Sequence, residues 1–162
     1  MKINAFTLSF LLFIPQVSSA LDATCAPIIA ASEARMKQPF WQSVSDINGS
    51  LRLETIKTDN KYFTRLGKEA WKPAPVNIDE TEQRLLARVQ NGEINLTQCK
   101  EEASEMLEGR ETRVISYHIE INGWPAVNAK LKIGKADGLP YSSTSKSTNT
   151  RYNYAGVQMS KP

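Results

Sequence analysis

The chain has 162 residues, with 20 Lys and Arg against 17 Asp and Glu, two cysteines and a single histidine. The charges are interspersed and no basic tract occurs, which argues against a nucleic-acid surface. One histidine rules out histidine-based metal clusters and leaves at most one imidazole for general-base work.

The N-terminus carries the strongest signal. Lys2 gives a positive start, Phe6 to Val17 is an apolar run, and Ser18-Ser19-Ala20 supplies small residues at the −3 and −1 positions of a cleavage site. The run is too short for a settled membrane span, which needs about 20 residues. Residues 1–20 therefore read as a signal peptide and residues 21–162 as a single disulfide-linked domain without a transmembrane segment. The expected location is the periplasm, with secretion as the alternative.

Removing residues 1–20 leaves 142 residues and lowers the net charge from +3 to +2. That length suits one domain with its own core. Cys25 follows Asp22-Ala23-Thr24, which is a poor lipobox, so it reads as a structural cysteine. Cys25 and Cys99 are an even pair in an oxidising compartment and predict one disulfide. Its loop of about 75 residues would stabilise the fold by roughly 4 kcal/mol in the chain-entropy model. Neither CxxC spacing nor histidine partners support a redox or metal pair.

In chain order, Thr24 is a candidate N-cap and Pro27 suits a first helical turn. Ile28, Ile29, Ala31 and Met36 give a short helix that Pro39 ends. Asn48-Gly49 precedes an alternating strand at Ser50 to Thr58. Asp59-Asn60 then turns the chain into Lys61 to Leu66, and Pro73 and Pro75 mark a loop. A second helix starts with Asp79 and Glu82 as a capping box and ends at Gly92. Its apolar face is Leu85, Leu86 and Val89, with Ile78 as a staple, so it should lie on a sheet. Strands follow at Ile94 to Leu107 and at Thr112 to Ile121. In the latter, Ile115, Tyr117, Ile119 and Ile121 share one face. Ala129, Leu131 and Ile133 alternate next. Asp137-Gly138 is a hairpin signal before Leu139 to Ser145, and Arg151 to Met159 closes the chain. This pattern predicts an α+β fold. Its curved, mostly antiparallel meandering sheet has about seven or eight strands, covered on one face by two helices.

Chemistry is sparse. No GxSxG, HExxH, P-loop or GxGxxG motif occurs. His118 sits mid-strand on the more polar face, without a triad or metal companion. Asp79, Glu80 and Glu82 suit a helix start, and Glu101, Glu102 and Glu105 suit a solvated rim. No catalytic residue, metal or cofactor is expected. The aromatics are the more suggestive feature. Trp41, Tyr62, Phe63, Trp71, Tyr117, Trp124, Tyr141, Tyr152 and Tyr154 either fill an ordinary core or line an apolar concavity.

Three segments carry a resemblance. They are Tyr62-Phe63-Thr64-Arg65-Leu66-Gly67-Lys68-Glu69-Ala70-Trp71 with the helix after it, Gly109 with the strand Arg113 to Ile121, and Lys130-Leu131-Lys132-Ile133-Gly134 running through Asp137-Gly138-Leu139-Pro140 to Tyr152, Tyr154 and Val157. Their order resembles the LolA-like lipoprotein-carrier superfamily. The chain departs from that pattern in its length, its cysteine pair and the polar Lys132. The resemblance implies a half-open barrel closed by helices that binds acyl chains or other apolar ligands. If Tyr117, Ile119 and Ile121 face the helices with Leu131 and Ile133 beside them, the stripe Leu85, Leu86 and Val89 should pack over that face. A ligand would then sit between helix and sheet near Trp71 and Tyr154, so the expected ligand-binding residues are Trp71, Leu86, Tyr117, Ile119, Ile133 and Tyr154. The competing reading is a small interaction protein, an inhibitor or immunity-type partner of a toxin or enzyme, acting on an envelope protein. Thiol titration of the unfolded, unreduced mature protein should find no free thiol; two titratable thiols would rule out the Cys25–Cys99 bridge.

Overall fold

The computed structural model describes residues 22–159, and the expected signal peptide lies outside them. A 3-10 turn at Ala23–Cys25 leads into α1 (Ala26–Met36), then β1 (Phe40–Ile47), β2 (Leu51–Thr58), β3 (Lys61–Leu66) and β4 (Lys72–Pro73). Helix α2 (Ile78–Gln90) crosses to β5 (Ile94–Leu107), β6 (Arg110–Ile121), β7 (Val127–Gly134), β8 (Pro140–Ser145) and β9 (Thr148–Asn153). The strands form one antiparallel sheet in the order β4-β3-β2-β1-β9-β8-β7-β6-β5.

This is the expected α+β meander, with nine strands among the described residues where seven or eight are predicted. The difference lies in β1 and β4. Along β1 the residues buried with Trp41 include Ser43, so the strand lacks the apolar alternation that marks one. β4 has two residues and sits at the sheet edge, where Pro73 removes no ladder bond the sheet needs.

Both helix starts use a different cap from the predicted one. Asp22, not Thr24, caps the first turn by accepting the Thr24 amide at 3.0 Å. At α2, Asn77 accepts the Glu80 amide at 3.1 Å. The pair read as a capping box, Asp79 and Glu82, is engaged with α1 and the sheet.

Strand alternation divides the sheet into a helix face and an open face. Cys25 and Cys99 are joined as predicted. A bulge at Gln98 and Cys99 lets Cys99 reach the helix face. With Ile28 and Ala31 of α1, these cysteines pack on Ile115, Leu131 and Ile133, and Leu96 and Tyr117 flank the cluster. Helix α1, rather than α2, therefore covers this part of the sheet. On the open face, Glu102 pairs with Lys130 at 2.7 Å and Lys132 pairs with Glu105. The polar Lys132 fits because it points away from the helices.

The β7–β8 connection is built around Asp137, which accepts from the Leu139 amide at 3.0 Å and the Tyr141 hydroxyl at 2.6 Å. A Cβ on Gly134 would run into the Asp137 carboxylate and lie 2.8 Å from the Tyr141 ring. Gly134→Ala should cost about 1–3 kcal/mol by overpacking. The readout is a lower urea midpoint at unchanged slope, and an unmoved midpoint would contradict this packing.

Candidate functional site

Helix α2 is held to the rest of the molecule in an unusual way: none of its side chains is buried. Its apolar stripe stays open, with Leu85 41% exposed and Leu86 and Val89 half-buried. What fastens it is polar. The Lys57 ammonium, itself buried, donates to Asp79 at 2.6 Å and to the Met36 carbonyl at 2.7 Å. Arg35 of α1 meets Glu82 at 3.3 Å, and the Ser32 hydroxyl donates to the same carboxylate at 2.7 Å. Arg35 also lies 4.7 Å from the Trp41 ring centre and 5.7 Å from that of Tyr152. Truncating one partner of such a buried pair strands the other charge.

Beneath the helices, the middle of the helix face is lined by hydroxyls rather than aliphatics. Ser43 and Thr55 face each other across β1 and β2, while Ser143, Thr150 and Ser45 form the next row across β8, β9 and β1. Ser45 and Thr150 are hydrogen-bonded at 2.8 Å. Apolar side chains gather instead where the β1–β2, β6–β7 and β8–β9 turns lie. Leu51, Leu66 and Val127 are exposed there, and Ile47, Leu53, Ile119 and Ile121 are half-buried. A groove of about 410 Å³ lies between α1 and α2, with Met36, Asp79, Leu86 and Ala87 among its lining residues.

The expected ligand residues divide accordingly. Ile133 is buried in the α1 cluster, and Tyr117 packs at its edge. Ile119 continues that face towards the turn end, half-buried. Leu86 lies in the interhelical groove. Tyr154 is half-buried beside Tyr141, with ring centres 5.3 Å apart, and its hydroxyl donates to the Pro140 carbonyl at 2.6 Å. Trp71 stands apart. It lies against Arg65 at 4.5 Å, and Arg65 belongs to the open face with Glu54, which it meets at 2.9 Å. The six residues thus do not form one continuous surface.

Arg35, Lys57 and the hydroxyl row are the features that sequence reasoning did not select. Arg35 follows Ile28 and Ala31 at helical spacing, so a charge on the buried side of α1 was the available signal. Electrostatics follow burial. Glu54 is pushed up by burial, but hydrogen bonds and charge from Arg65 and Arg52 outweigh this and hold it below the usual range. Burial, then the hydrogen bond to Asp79, moves Tyr62 up to about 12, and burial with the Asp137 bond does the same for Tyr141. Burial also raises Tyr117, Tyr152 and Tyr154. No group of three or more His, Cys, Asp or Glu able to hold a metal occurs among the described residues. None of their helices is long and apolar enough to cross a membrane.

No protein-family model matches the sequence, and no curated protein matches it. Solved structures do. The crystal structure of the lipoprotein LppX of Mycobacterium tuberculosis superposes with a TM-score of 0.52 at 12% identity, covering 85% of this chain and 98% of that one. MucB in complex with MucA(peri) gives 0.49 at 14% identity over 83% of this chain. A Pseudomonas aeruginosa MucA/MucB complex gives 0.43 at 12% identity over the same share of this chain. The chain spans 57% and 58% of those two longer chains. At these identities the likeness is one of fold. The chain shares its fold with LppX, two helices on one face of a curved antiparallel sheet.

The buried phenols make alkaline stability testable. Their folded pKa values lie above the unfolded value near 10. Their contribution is therefore complete below pH 10 and is lost as pH rises through about 12 for Tyr62 and Tyr141. Absorbance titration at alkaline pH should show these tyrosines ionising late, together with falling stability. Normal titration of all five tyrosines in the folded protein would overturn the assignment.

Proposed function

We propose that this is an exported, non-catalytic binding or carrier protein of the periplasm that takes an amphipathic, lipid-like ligand between α2 and the sheet. The single observation that carries the reading is the attachment of α2: it covers the helix face through ion pairs while its apolar stripe remains open. A helix packed for stability alone would bury that stripe at about 25 cal/mol per Å². A cover that must part gains from polar contacts that water can replace.

The lining supports the ligand class. The acyl part would lie along the interhelical groove with Met36 and Leu86, and along the apolar turn end of the helix face. The polar part would meet the hydroxyls of Ser43, Thr55, Ser143 and Thr150. Of the expected residues, Leu86, Tyr117, Ile119 and Tyr154 fit this placement. Ile133 would act as core beneath it, and Trp71 belongs elsewhere. A protein partner is the second reading. Its support is the loop Trp124, 74% exposed, close to the long edge strand β5.

The experiment is addition of lysophospholipid and palmitate to the purified mature protein, followed by melting temperature, Trp fluorescence and native mass spectrometry. Binding should raise the melting temperature, and Leu86→Glu should weaken it about tenfold or more while the half-exposed position keeps the fold intact. If neither lipid changes melting or fluorescence and none is retained, the carrier reading fails and the protein-binding reading replaces it.

A further inference from the structure

The open face carries a second concavity, of about 360 Å³, that the apolar-ligand reading does not use. It is lined by Tyr117, Ala129 and Ser145, which are paired across β6, β7 and β8. Its walls are the neighbouring residues Ser116, His118, Asn128, Lys130 and Thr144, which alternation directs to this face, together with Gln98. The bulge that turns Cys99 inward holds Gln98 at φ 52, a left-handed conformation that a side chain rarely adopts, and leaves it exposed on this groove.

The hydrogen-bonding capacity left in the walls is mixed. Asn128 Oδ1 meets His118 Nδ1 at 2.7 Å, which leaves the Asn128 amide hydrogens free to donate. The Ser116 hydroxyl donates to the Lys100 carbonyl at 3.3 Å, so its lone pairs remain to accept. Lys130 directs one of its three hydrogens to Glu102. Thr144 Oγ1 and the Gln98 amide enter no side-chain hydrogen bond among the described residues. Lys130 has Glu102 at 2.7 Å, and His118 Nε2 lies 3.5 Å from the Glu120 carboxylate.

We infer that this groove binds an uncharged, polyhydroxylated ligand, a sugar ring or short neutral glycan. Both donors and acceptors surround paired strands whose backbone polar groups are spent on the sheet ladder, and a ring of hydroxyls matches that mixture. An anion would have to approach past Glu102 and Glu120. An acyl chain would leave the wall groups dry and unpaired. The volume lies in the range of small-molecule sites. This site is on the opposite face from α2 and stands whether or not the carrier reading does.

His118 is the only histidine in the chain, so its Cε1–Hε1 group gives a single unambiguous cross-peak by NMR. At fixed pH, glucose, galactose or N-acetylglucosamine should move that peak saturably, while phosphate and octanoate should not. Gln98→Gly relieves the left-handed strain, so it should melt no lower than the parent yet bind the sugar roughly fivefold more weakly, the loss of one neutral hydrogen bond. Thr144→Val should weaken binding similarly without changing shape. The proposal is overturned if none of these sugars moves the peak saturably, if phosphate moves it equally, or if both variants bind like the parent.

Discussion

The disulfide between Cys25 and Cys99 sets the position of everything on the helix face. It ties the start of α1 to the sheet's outermost long strand and directs Ile28 and Ala31 onto Ile115, Leu131 and Ile133. It depends in turn on the bulge in β5, because without the extra residue Cys99 would fall on the wrong face. With α1 fixed in this way, its far end presents Arg35 to Glu82 of α2 and the Met36 carbonyl to Lys57 of β2, which in turn holds Asp79 of α2. The polar attachment of the second helix is thus a consequence of where the first one is stapled.

That division of labour separates a covalently closed half from one held by ion pairs. The α1 side is dry, aliphatic and covalently closed. The α2 side rests on carboxylates reaching Lys57 and Arg35 over a floor of serine and threonine. Hydroxyl floors bind water readily, so parting the two layers exposes surface that costs little to hydrate. An aliphatic floor would hold α2 down more firmly and would favour a purely apolar guest.

Much of this was legible in the sequence. The strands β2, β3 and β5 to β8 announce themselves by alternation and turn residues, and the cysteine pair follows from number and compartment. The faces of β6 were readable, but which helix covers them was not. Leu85, Leu86 and Val89 form the better amphipathic stripe, and α1 has the weaker pattern because its buried side includes Arg35. Three-residue carboxylate spacing favoured Asp79 and Glu82 as a cap, although Asn77 and Glu80 have the same spacing. Trp71 precedes the two-residue strand β4, which is too short for alternation to assign it a face. The hydroxyl row escaped notice because its members come from four strands in two distant parts of the sequence.

The order of strands has a consequence for how the chain reaches this state. β1 to β4 form one local meander and β5 to β9 another, and hydrogen bonding joins them only where β9 lies beside β1. The bond between Ser45 and Thr150 spans 105 residues, whereas each hairpin closes over a few. Loop-closure entropy must be met before such distant contacts contribute, so the β1–β9 seam governs the folding rate. It is also the line along which a slipped register would turn the hydroxyl row outwards and the open-face residues Val44 and Arg151 inwards.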